Sequence, residues 1–189
     1  MQLAYIQYYD DADYLANEAC SPTKHEYVAG EIFAMAGASK RHATLALNIA
    51  IALRQHLRGK PCAVWMADIK VHVQEDSAYY YPDVVVTCDA ADLSAEAPPN
   101  YLNAPKLIVE VLSDSTESVD RREKLLSYRR LPSLIEYILI DQNKARVEVY
   151  RRSTNNNWQH EIYEPDEAVH LSSVELDLPM QDIYADIKI

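Results

Sequence analysis

The chain has 189 residues, 49% of them hydrophobic and 25% charged, with 18 Lys and Arg against 29 Asp and Glu for a net charge of −11. That length holds one domain with a sizeable core and leaves two full domains cramped, and the composition excludes a disordered chain. The acid excess counts against a protein that grips nucleic acid through a uniformly basic face. It does not count against a site that reaches phosphates through divalent cations. The basic residues are bunched at 40–42, 54–60, 121–124, 129–130 and 151–152, and each bunch taken singly reads as a solvated face. The opening MQLAYIQYYDDADYL has neither a basic n-region nor an apolar h-region, and the longest apolar stretch, 43–53, is broken by Thr44 and Asn48. Neither a secretory signal nor a membrane span is expected. Cys20, Cys62 and Cys88 are odd in number and lack a CxxC pair, which predicts no disulfide, no zinc site, reduced thiols and a cytoplasmic location.

A short helix is expected over residues 14–19. HEYVAGEIFAMA reads as two strands turning at Ala29-Gly30, with glycine supplying the permissive backbone. Ala43, Leu47, Ala50, Ile51 and Leu57 recur at helical spacing behind Ser39, an N-cap residue type, so a helix is predicted over 39–57. Strands follow at 63–66, 69–73 and 82–87, the last two rich in β-branched residues. DAADLSAEAPPNYLNAP reads as a loop crossing between strands. A strand at 106–112 leads into a helix at about 118–130, which ends at Leu131-Pro132 because proline disfavours helix in the residue before it. LIEYILID and ARVEVYRR form strands around a turn at 141–144, another strand lies near 158–163, and the tail 178–187 reads as a short closing helix. Hairpins combined with one strand–helix–strand passage predict an α/β fold, α+β in a stricter scheme, with helices packed on a mixed sheet.

Within PKLIVEVLS, Glu110 interrupts an apolar strand of the kind buried on both faces. A carboxylate there either stays neutral or is compensated by a cation. Pairing with an arginine of the next helix is the structural reading. A second acid, Asp83, follows Pro82 at the entrance of another apolar strand, 27 residues earlier. If the two strands are neighbours, both carboxylates converge on one small volume and raise each other's pKa unless a cation sits between them. A hard divalent ion such as magnesium suits that oxygen pair and can activate water against a phosphodiester. On the following helix Asp120, Lys124 and Tyr128 fall at i, i+4 and i+8 and form one polar stripe. Standing alone, the stripe reads as an exposed Asp120–Lys124 salt bridge.

YPDVVV, PKLIVEVLS, the Asp120, Lys124, Tyr128 stripe, LIEYILID and the HEYVAGEI hairpin followed by SKRH together resemble the Uma2 family of restriction endonuclease-like proteins, within the PD-(D/E)XK nuclease superfamily. The resemblance covers residues 26–151. It implies a restriction endonuclease-like fold, a central mixed sheet flanked by helices, over a single domain of residues 1–189. It also implies metal-dependent cleavage of DNA with Mg2+, for which Mn2+ can substitute, no membrane partner, and a homodimer whose interface comes from the apolar strands beyond Ile135. Asp83 corresponds to the metal-binding acid of the PD half and Glu110 to the acid of the second half. The superfamily lysine would stand at position 112, where this sequence has Leu112. In the resembling family a lysine of the next helix stands in, and Lys124 occupies that place, implied to orient or deprotonate the attacking water and to offset phosphate charge. Glu31, with Glu26 as the alternative, is the implied amino-terminal acid for a second metal contact. His42 matches a recurrent family histidine that binds phosphate or assists, against a reading in which it packs locally at a helix start. Two other classes remain on the residues alone: an inactive nuclease-fold binding module, and a glycosidase with Asp83 and Glu110 as its acid pair and Tyr79 to Tyr81 lining a sugar cleft.

Overall fold

The computed structural model describes residues 8–114 and 116–189. The first helix, α1 (Asp11–Glu18), begins three residues before the predicted start, because Asp10 is its cap and accepts from the Asp13 amide at 2.8 Å. Strands β1 (His25–Val28) and β2 (Glu31–Ala34) form the expected hairpin. Its turn needs positive φ at two consecutive residues, Ala29 (48°) and Gly30 (97°). The long helix α2 (Lys40–His56) starts at Ser39, whose hydroxyl accepts from the His42 amide at 3.1 Å. Then come β3 (Ala63–Met66), β4 (Lys70–Val73), a 3-10 turn (Gln74–Asp76), β5 (Ala78–Tyr80), β6 (Val84–Thr87), β7 (Tyr101–Leu102) and β8 (Pro105–Leu112). The predicted second-half helix is three joined pieces: α3 (Glu117–Val119), a π-helical segment (Asp120–Lys124) and α4 (Leu125–Tyr128). It is followed by β9 (Glu136–Asp141), β10 (Val147–Arg152), β11 (Trp158–Tyr163), β12 (Ala168–Leu171), β13 (Leu176–Pro179) and α5 (Met180–Ile183).

A six-stranded sheet, β11-β10-β9-β8-β6-β3, is mixed as expected: β8 and β9 are parallel, and every other pair is antiparallel. A second sheet, β2-β1-β5-β4-β7, lies against it, and β12 and β13 make a separate hairpin. Alternation along β8 assigns its side chains. Leu107, Val109 and Val111 enter the core that α2, β12, β13 and α5 cover, whereas Ile108 and Leu112 enter the core shared with α4 and the second sheet. Glu110 is in register with that second set and therefore faces α4.

The short closing helix expected in the tail is α5 (Met180–Ile183), and it follows directly on β13, whose Leu178 pairs with Val169 across the β12–β13 hairpin. Two expectations change. Of the strands beyond Ile135, β9 offers no interface, since Tyr137, Ile138, Leu139 and Ile140 are completely buried between β8 and β10, and β11 is the one left at the edge of that sheet. Cys62 and Cys88 are joined by a disulfide, which overturns the prediction of free thiols and with it the argument from thiols to a cytoplasmic location. Ala63 pairs with Thr87, so extending the β3–β6 register by one residue sets the two cysteines opposite each other. The sequence shows only their separation of 26. Because the bond closes that loop, its reduction should cost about 2–4 kcal/mol of stability, read as a lower denaturation midpoint in dithiothreitol. A midpoint unchanged by reduction, with both thiols then alkylatable, would contradict it.

Candidate active site

The β6–β8 register pairs Val84 with Val109. One step further, Asp83 stands opposite Glu110, so the 27-residue spacing is that of an antiparallel cross-strand pair. Each acid reaches the other strand: the Val111 amide donates to Asp83 Oδ2 at 2.7 Å and the Asp83 amide to Glu110 Oε2 at 3.3 Å. His42, in the first turn of α2, brings its Nε2 to 2.8 Å from Asp83 Oδ1. The helix-start histidine is thus part of the site and not merely packed beside its own helix.

From the other side the π-helical segment delivers Asp120 and Lys124, and α4 delivers Tyr128. A π-turn widens the helix locally and is a frequent mark of functional sites. Here its two end residues turn inward, with Asp120 2% and Lys124 5% exposed. The surface salt bridge read from the sequence is therefore a buried one. Lys124 Nζ lies 2.8 Å from Glu26 Oε1, 3.1 Å from Glu110 Oε1 and 3.3 Å from Asp120 Oδ1. The Tyr128 hydroxyl donates to Glu110 Oε1 at 3.2 Å, and the Tyr137 hydroxyl to the Asp120 carbonyl at 3.1 Å. The Arg121 guanidinium instead pairs with Glu117 and Glu148, and among the described residues the cation paired with Glu110 is Lys124 and not an arginine.

Glu31 is not brought to this cluster. It is exposed beside the hairpin turn on the edge strand, whereas Glu26 sits one strand further in and also accepts from the Tyr81 amide at 3.1 Å. Tyr27 packs under α1, which turns Glu26 and Val28 to the opposite face, but Glu31 pairs with Val28 and shares that face, so its place on the edge strand, and not alternation, keeps it from the site. Tyr79, Tyr80 and Tyr81 are buried, at 2%, 4% and 6% exposure, so they line no sugar cleft and the glycosidase reading loses its stacking surface.

One ammonium faces more acids than it can neutralise. Burial pushes the Glu110 carboxyl well above its ordinary 4.5; Lys124 opposes this, and Asp120, Asp83 and Glu26 add to it. Burial alone would lower the Lys124 pKa, but Glu110, Glu26 and Asp120 hold it well above 10.5. The two directions are compatible: Lys124 stays charged while a proton, or another cation, is favoured among the carboxylates. Among the described residues no group of three or more His, Cys, Asp and Glu side chains is placed to enclose a metal ion. The donors nevertheless fit magnesium, which takes hard oxygen ligands and is commonly held by one or two carboxylates plus waters and substrate phosphate. Asp120 Oδ1 is buried with no hydrogen bond, and the Lys124 ammonium that faces it is shared with Glu26 and Glu110.

A mixed sheet carrying opposed acids on adjacent strands, with a lysine from the next helix, defines the nuclease fold of the restriction endonuclease-like class. The chain superposes on a crystal structure from Anabaena variabilis, described as a "putative nuclease belonging to DUF820", with a TM-score of 0.77 at 19% identity, covering 94% of this chain and 98% of that one. The model of the Uma2 family, described as "Putative restriction endonuclease", matches residues 11–181, and the chain belongs to that family. Two Synechocystis proteins are similar as well. Uncharacterized protein slr1290 is 33% identical over 91% of this chain and 89% of its own length, and uncharacterized protein sll1609 is 35% identical over 78% and 82%. No helix among the described residues is long and apolar enough to cross a membrane.

Proposed function

We propose that this chain is a divalent-metal-dependent endonuclease that hydrolyses DNA phosphodiester bonds, working as one domain over residues 1–189. The observation that carries the reading is the meeting of Asp83, Glu110 and Lys124 at one point from β6, β8 and the π-helical segment. Asp83 and Glu110 would hold Mg2+, or Mn2+ in its place, and Glu26 takes the part expected of Glu31. Bound there, the ion would supply Lewis acidity, lowering the pKa of a water and offsetting charge on the phosphate. Lys124, held charged by three carboxylates, orients the attacking water and stabilises phosphate charge; its raised pKa makes it a poor base. His42 and the Val111 amide fix the two oxygens of Asp83 and so hold that carboxylate in one orientation. Tyr128 does the same for Glu110.

Cleavage of both strands calls for two sites, hence a homodimer. With β9 inside the sheet, an edge strand is needed for its interface, and β2 is a candidate, with Ile32 and Phe33 as exposed apolar side chains. The reading places the protein in the cytoplasm with its DNA substrate. The inactive-module reading draws on Leu112, which is buried in the core where the superfamily lysine would stand, and on the burial of Lys124. Metal linkage separates the two. Millimolar Mg2+ or Mn2+ should raise the Tm, with about 2.7 kcal/mol of added stability at a hundredfold excess over Kd. No rise with either ion, together with no cleavage of duplex DNA, favours the module.

A further inference from the structure

The net charge of −11 is unevenly distributed. Between Glu31 and Asp68 there are five Lys and Arg and no Asp or Glu, so residues 32–67 carry +5 and the rest of the chain carries −16. Most of that segment is α2. Leu45, Ala46, Ile49, Ala50 and Leu53 bury its inner face against the six-stranded sheet. Lys40, Leu47, Ile51 and Arg54 recur at helical spacing on the opposite side, Arg58 follows in the turn just past the helix end, and all five are exposed. Among the described residues, the side chains of Lys40, Arg54 and Arg58 have no hydrogen-bond or ion-pair partner. By contrast Arg41, also on α2, is tied to the carbonyls of Gln142 and Lys188, and Arg121, Arg130, Arg146 and Arg151 are all paired with acids. From Lys40 to Arg54 the stripe spans about 21 Å at the helical rise of 1.5 Å per residue. It starts within one turn of His42, the residue that touches Asp83.

We infer that the outer face of α2 is the track for the phosphate backbone of duplex DNA leaving the acid site, with Lys40, Arg54 and Arg58 as its phosphate contacts. This rests on the nuclease reading above. A polyanion entering a cluster of four carboxylates is repelled by most of this chain, and the acid-free helix is the surface continuous with the site on which the next phosphates meet positive charge. Leu47 and Ile51, between the cations, offer apolar contact of the kind made to thymine methyl groups.

The test is salt-dependent binding of a fluorescent duplex to the full chain in EDTA, where metal-dependent cutting stops. The triple variant Lys40→Ala, Arg54→Ala, Arg58→Ala should bind at least about tenfold more weakly, with a log K against log salt slope shallower by about two to three. The comparison triple Lys106→Ala, Arg122→Ala, Arg130→Ala makes the same change in net charge on other faces and should leave the slope unchanged. An equal loss in both triples, or none in the first, overturns the track. Polyglutamate that displaces the duplex from the wild type at equal charge, but not from the α2 triple, marks the stripe as a site for an acidic protein and also overturns it. A wild type that cleaves duplex DNA while the α2 triple binds normally leaves the nuclease reading standing. A wild type that neither binds nor cleaves removes that reading first.

Discussion

Glu110→Gln and Asp83→Asn should each reduce Mg2+-supported cleavage of duplex DNA by at least about a hundredfold, while leaving the protein folded. Both changes keep the side-chain shape and remove one negative charge from a site that holds too many. Tyr128 and Lys124 can still donate to the oxygen that the amide keeps at position 110, and the Val111 amide to the one kept at position 83. Because burial and neighbouring acids already disfavour the Glu110 carboxylate, its neutral replacement should not lower the metal-free Tm. The sign follows from linkage. Glu110 binds its proton more tightly folded than unfolded, so the stability it contributes is full below about 4.5 and declines as pH rises toward its folded pKa. Metal-free wild type should therefore lose Tm from pH 5 upward more steeply than Glu110→Gln, and Mg2+ should remove the difference. Glu26→Gln should impair cleavage and Glu31→Gln should not, since only Glu26 reaches Lys124. Full cleavage by both the Glu110 and the Asp83 variants would end the nuclease mechanism.

Lys124→Ala has the largest expected effect on stability. It strips the cation from Glu26, Glu110 and Asp120, all within 3.3 Å of its ammonium, and leaves buried acids facing one another. Breaking a buried ion pair from one side typically costs about 3–5 kcal/mol. The loss should be greatest at alkaline pH, because the abandoned carboxyls can recover stability only by taking up protons, and smallest near pH 5. Chemical denaturation across pH 5–8 measures it. A variant as stable as wild type at pH 8 would mean that Lys124 does not neutralise the cluster. Added Mg2+ should restore part of the stability, since a cation again faces the same acids, while cleavage stays low because the group that orients the water is gone.

Local pattern carried a good deal of this molecule. The α2 helix was legible from Ser39, β8 from its unbroken apolar run, and the β1–β2 hairpin from Ala29-Gly30, because caps, apolar runs and positive-φ turns are properties of neighbouring residues. The face of α2 was not, since Ala43, Leu47 and Ile51 of the apolar spacing turn outward while Leu45, Ala46, Ile49 and Leu53 are buried. Strand β5 was not legible, because Ala78, Tyr79 and Tyr80 are stabilised by pairing with β1 and β4 and by ring contacts from residues far along the chain. The tyrosine excess is a tertiary fact of the same kind. Tyr80, Tyr128, Tyr137 and Tyr150 form a run of rings 5.2–6.3 Å apart beneath the site, and Tyr14, Tyr27 and Tyr79 form a second cluster under α1.

The sequence by itself determined that one acid sits within an apolar strand, another at the entrance of a second, and that a lysine follows on a helix, since residue type and spacing are enough to show it. It also carried the acid-free segment that becomes α2. Only the tertiary structure decided that Asp83 opposes Glu110, that Glu26 and not Glu31 reaches Lys124, that Asp120 is buried, and that Cys62 meets Cys88. Each of these depends on strand register, on a strand's place in the sheet or on the turn of a π-helix. A shift of one residue in the register or the π-turn reverses which side chains face the site, and register is chosen by the summed packing of both sheet faces, which no short segment contains.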